Sequence, residues 1–62
     1  MDAQRIRIRL IEKGLLVKDL ARLTGLDYDR LAKLLNGYRA ARDEEIRAIA
    51  KALGLPVDEI SA

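Results

Sequence analysis

The 62-residue chain is half hydrophobic, has only two aromatic residues and contains no Cys, His or Trp. Those absences exclude a disulfide framework, a Cys/His zinc site and a His-based catalytic centre. Twelve basic residues against ten acidic ones leave a net charge of +2, and no apolar run approaches the ~20 residues a membrane span needs.

A first helix is predicted over Ala3–Lys13, capped by Asp2 and ended by Gly14. The run Arg5-Ile6-Arg7-Ile8-Arg9-Leu10 alternates with period 2, a strand signal. Helix is preferred because both caps are present and a lone strand would leave its backbone unpaired. These arginines also break any continuous apolar core of a signal peptide. Together with the missing cysteines this points to a cytosolic protein.

A second helix is expected over Val17–Leu23, with Leu20 and Ala21 facing inward. Thr24-Gly25-Leu26 reads as a tight turn, in which Gly25 adopts positive φ at little cost. Asp27 caps a third helix, Tyr28–Leu35, whose inward stripe is Leu31, Leu34 and Leu35. Asn36-Gly37 stops it, and residues 36–42, NGYRAAR, form a basic connection. A fourth helix is expected over Asp43–Leu53, its acidic start matching the helix dipole and Ile46, Ile49, Ala50 and Leu53 making its apolar stripe. Gly54 ends it, and Leu55-Pro56-Val57-Asp58-Glu59-Ile60 opens a last short helix. Residues 1–62 therefore form one all-α domain.

Two helices joined through a Gly turn at about residues 17–36, with Ala21 allowing close approach, form a helix-turn-helix pattern. An ordinary αα-corner uses the same Gly and Leu. Charge is segregated: residues 1–42 carry ten bases against five acids (+5), residues 43–62 two against five (−3). A basic front suits a polyanion partner. An enzyme is not expected, since the sequence offers no nucleophile–base pair, no phosphate-binding Gly loop and no metal-ligand cluster. No cofactor is implied.

The stretches EKGLLVKDLARLTGL, DRLAKLLNG and AIAKALGLPVDEI resemble the lambda-repressor/Cro family of bacterial and phage DNA-binding domains across nearly the whole chain. The resemblance implies a five-helix fold and a sequence-specific, duplex-DNA-binding transcriptional regulator of repressor type. It places helix 28–35 in the major groove and a homodimer on two half-sites. Base readout would fall to Tyr28, Asp29, Ala32 and Lys33, which point away from the Leu stripe. Lys33 would donate to guanine, Ala32 touch a thymine methyl and Asp29 accept from cytosine. Asp29 has an alternative role in stabilising the first helical turn. Phosphates would be held by Lys18, Arg22, Arg30, Asn36, Tyr38, Arg39 and Arg42, with Arg30 alternatively pairing with Asp27. Leu55, Pro56, Val57 and Ile60 would form the two-fold interface or cover the core.

The departures from the family pattern matter as well. The family often pairs an Arg at the position of Leu10 with a Glu at that of Leu35, so the two leucines are expected to touch. It often opens the second helix with a polar cap and a Gln, where this chain has Leu16 and Val17. The Pro frequent before the fourth helix is Ala41. Ile8, Leu16, Val17 and Leu23 are more apolar than such a surface requires, so a protein-interaction module of antiactivator or antitoxin kind is the alternative.

Overall fold

Local signals at the helix ends are realised almost residue for residue in the computed structural model, which describes residues 1–61. The elements are α1 (Ala3–Lys13), α2 (Val17–Thr24), α3 (Tyr28–Leu35), α4 (Asp43–Leu53) and α5 (Val57–Ser61). There are two small differences from the sequence expectation. α2 runs one residue further, through Thr24, and α5 begins after Pro56, leaving Leu55 and Pro56 outside it.

The helix ends show why the boundaries were legible. Asp2 accepts from the Arg5 N–H at 3.0 Å, and Asp27 from the Arg30 N–H at 3.1 Å. These bonds satisfy first-turn donors that have no partner within the helix. Leu16 and Arg42 stand at the N-caps of α2 and α4 and offer no side-chain acceptor. There the third helical residue reaches back instead: Asp19 accepts from Leu16 N–H and Glu45 from Arg42 N–H, both at 2.8 Å.

α1 is a helix despite its period-2 alternation. Ile6 and Leu10 are buried one turn apart, while Ile8 and Ile11 stay exposed. Arg5, Arg7 and Arg9 each tie α1 to a different helix. Arg5 Nε donates to Glu59 of α5 at 3.2 Å, Arg7 reaches the end of α3, and Arg9 Nε donates to the Leu53 carbonyl of α4 at 3.0 Å. The arginine–isoleucine alternation is thus a helix buried on one narrow stripe and clamped along its flanks.

The core gathers Ile6 and Leu10 from α1, Leu20 and Ala21 from α2, Leu31 and Leu35 from α3, four residues of α4 and Ile60 of α5. Each fully buried Leu or Ile contributes about 1.5–3 kcal/mol of gross transfer free energy. Leu10 and Leu35 lie in this one cluster. Ile60 is wholly buried, and Leu55 packs against the core. Of the four residues assigned to a subunit interface, Ile60 therefore has no surface to offer, and Pro56 and Val57 are the exposed pair. The Asp2 N–H donates to the Ile60 carbonyl at 2.7 Å, tying α5 to the start of the chain.

Candidate nucleic-acid interface

The turn between α2 and α3 sets the attitude of α3. Gly25 has φ of +74°, the left-handed region that L side chains avoid. Thr24 closes the turn: its hydroxyl donates to the Leu20 carbonyl at 2.8 Å and accepts from the Leu26 N–H at 3.3 Å. Leu20 and Leu31 are fully buried on either side of the turn. The outward residues of α3 are thereby held on a packed scaffold.

At 3.6 residues per turn, Tyr28, Asp29, Ala32 and Lys33 fall within an arc of roughly 140° opposite the leucine stripe. Tyr28, Asp29 and Lys33 are exposed and Ala32 is half-buried. α3 is about 12 Å long, comparable with the ~12 Å width of a B-DNA major groove. Asp29, Lys33 and Arg39 share one polar recess with Asp27 and Arg30, about 430 Å³ in volume. The structure thus joins the front of α3 to the basic connection.

The expected phosphate residues divide into three kinds. Lys18, Arg39 and Arg42 are exposed and make no ion pair among the described residues; Lys33 shares this property. Tyr38 is 79% exposed. Arg22 is exposed but rests on Asp19 at 3.0 Å, a surface pair of little strength. Asn36 is exposed, with its amide oxygen accepting from Arg7 at 2.8 Å.

Arg30 is the residue for which the sequence expectation changes most. Its Nε and Nη2 donate to the two oxygens of Glu45, at 2.5 and 2.9 Å. Asp27, the partner considered from sequence, accepts only from the Arg30 backbone. The Glu45 side chain is 5% exposed. Hydrogen bonds from the Arg30 guanidinium hold its carboxyl at about 2, well below the ordinary 4.5, against the opposing effect of burial. The guanidinium is correspondingly held above its usual range by the Glu45 carboxylate. Arg30 therefore joins α3 to α4 as a two-pronged pair, with its Nε and Nη2 committed to Glu45.

The patch named for a protein partner is also divided. Leu16 is 60% and Leu23 59% exposed, and Ile8 is exposed, whereas Val17 packs against the core. Leu16 lines a shallow recess with Arg7, Leu10, Ile11, Leu15 and Val17, and Leu23 lines others. Sequence reasoning missed Arg7, Arg9, Thr24 and Glu45. Thr24 had a local signal as a hydroxyl beside a turn glycine, and Glu45 as an acid at the third position of α4.

A helix-turn-helix family model matches residues 6–60. The chain belongs to that family, in its lambda-repressor/Cro-like branch, a family of DNA-binding regulatory domains. Comparison with curated proteins and with solved structures finds no match. No helix among the described residues is long and apolar enough to cross a membrane.

Proposed function

We propose that this domain is a cytoplasmic, sequence-specific transcriptional regulator of repressor type that binds duplex DNA with α3 in the major groove. One observation carries the reading: in the outward stripe of α3, Tyr28, Asp29 and Lys33 are exposed with Ala32 half-buried among them, and Asp29 and Lys33 share a recess with Arg39, a cation with no ion pair among the described residues. Bases are read by the stripe, and phosphates are held by Lys18, Arg22, Asn36, Tyr38, Arg39 and Arg42. So small a module makes few contacts, so the working form is a homodimer with half-sites roughly 34 Å apart. Pro56 and Val57, exposed beside Leu55, support the two-fold contact. The test is binding to random-sequence duplex across a salt series, for wild type and a Lys33→Ala/Arg39→Ala/Arg42→Ala triple variant. Binding that tightens at low salt and loses about two units of salt slope in the triple variant, one each for Arg39 and Arg42, is the expected result. A folded wild type with no binding at ~50 mM salt contradicts it.

A second reading is favoured by the exposure of Leu16, at a position where the family often places a polar cap. A domain that kept the fold and lost the DNA would use Leu16, Ile8 and Leu23 as a protein-docking surface. Wild-type-like DNA binding by a Leu16→Ser/Leu23→Ser variant, with no partner lost in pull-downs, removes this alternative.

A further inference from the structure

The end of α3 shows where its carbonyls go, and this gives Arg7 a role that its place in α1 did not suggest. The chain leaves α3 through a left-handed glycine, Gly37, with φ of +80°. The Gly37 N–H donates to the Leu34 carbonyl at 3.3 Å and the Tyr38 N–H to the Lys33 carbonyl at 2.9 Å. That closing motif leaves the Leu35 carbonyl without a backbone donor. Arg7 supplies one: its Nη2 donates to Leu35 O at 3.1 Å and, from the same nitrogen, to Asn36 Oδ1 at 2.8 Å.

The second of these bonds decides which way the Asn36 amide faces. A guanidinium has donors only, so the amide oxygen, never its nitrogen, must face Arg7. The Asn36 Nδ2 is then turned away from Arg7, at an exposed position beside the open Tyr38 and Arg39. The first bond places a cation at the negative end of the helix dipole, where a bare helix terminus would repel a phosphate. Arg7 thereby changes the electrostatics of the helix end as well as its geometry.

We infer that Arg7 is a positioning residue: from α1 it fixes the end of α3 and aims the Asn36 amide donor at a nucleic-acid phosphate. The inference rests on the DNA-binding reading. Direct contact between Arg7 and phosphate is the competing account, because Nε and Nη1 make no hydrogen bond among the described residues.

The experiment is a double-mutant cycle read by fluorescence anisotropy on random-sequence duplex at ~50 mM salt, where phosphate contacts dominate. The variants are Arg7→Met, Asn36→Ala and the pair, with folding checked by far-UV circular dichroism. Arg7→Lys, which keeps the charge but changes the reach and placement of the donor, covers the case in which Arg7→Met does not fold. Each single variant is expected to weaken binding about 3- to 10-fold, and the double variant no more than the weaker-binding single. Arg7→Lys, which keeps the charge and a donor nitrogen, should fall between wild type and Arg7→Met. In the free protein, the side-chain amide resonances of Asn36 should move in the Arg7 variants while the core resonances of α3 hold. Costs that multiply, or an unmoved Asn36 amide, each overturn the inference and leave DNA binding standing. A folded wild type that binds no duplex overturns both.

Discussion

Replacing Glu45 with Gln removes one charge from a carboxyl that serves two helices at once. Its oxygens accept from Arg30 at 2.5 and 2.9 Å and from the Arg42 N–H at 2.8 Å. A Gln amide oxygen in the place of Oε1 can keep the bond to Arg42, but the amide NH2 then faces the Arg30 Nε donor, so the change removes the charge and one prong of the contact with α3. The carboxyl is held at about 2 in the folded domain against an ordinary 4.5. At about 1.4 kcal/mol per pH unit that gap would correspond to roughly 3 kcal/mol. Arg30 is 24% exposed, so screening reduces the expected value to about 1–2 kcal/mol. For a domain of this size that is a fall in melting temperature of about 5–15 °C.

The sign of the pH dependence follows from the depressed carboxyl. Below about pH 4.5 the unfolded chain takes up a proton that the folded one resists, so the stabilisation is complete above that value and fades toward pH 2. The assay is urea unfolding of wild type and Glu45→Gln side by side, so that other titrating groups cancel. The difference between them should be full at pH 7 and shrink by more than half by about pH 2.5. A difference that stays constant over that range, or none at pH 7, refutes the argument. An Arg30→Met partner variant completes the cycle, and the two costs should fall short of adding.

Three further outcomes follow. Gly37→Ala should cost about 1 kcal/mol through its positive φ alone, since a Cβ there meets nothing within 4 Å; a melting point unchanged to within a degree would count against this. Leu16→Ser supplies the side-chain cap that α2 lacks and removes an exposed Leu, so it should stabilise by about 0.5–1 kcal/mol in denaturant titrations. A loss of stability there would mean that Leu16 packs more than its exposure indicates. Leu35→Glu places a carboxylate at a position 4% exposed beside Leu10 in the core cluster. It should cost at least about 2 kcal/mol, a large share of what so small a domain has, and unchanged melting would sink the claim.

Helix boundaries and the inward stripes were legible in the sequence because each depends on residues within one turn of the others. Asp2, Asp27, Gly14, Gly25 and Gly54 act through bonds or φ angles confined to three or four neighbours, and a 3.6-residue apolar period needs no knowledge of what covers it. The exposed stripe of α3 could be named for the same reason, since it is what remains when Leu31, Leu34 and Leu35 are turned inward.

Tertiary structure alone decided the fate of the charges and of the ambiguous apolar residues. Arg30 and Glu45 lie 15 residues apart, Arg7 and Asn36 29, Arg9 and Leu53 44, and Arg5 and Glu59 54. A long flexible cation shows nothing locally of which partner the packing will bring to it, so Arg30, read from sequence as a phosphate ligand or a partner of Asp27, is paired with Glu45 between α3 and α4. Val17 and Leu16 are neighbours of similar character, yet one packs on the core and the other stays open. Hydropathy assigns both to an apolar surface, and only the path of α1 and α2 around the core decides which of them is covered.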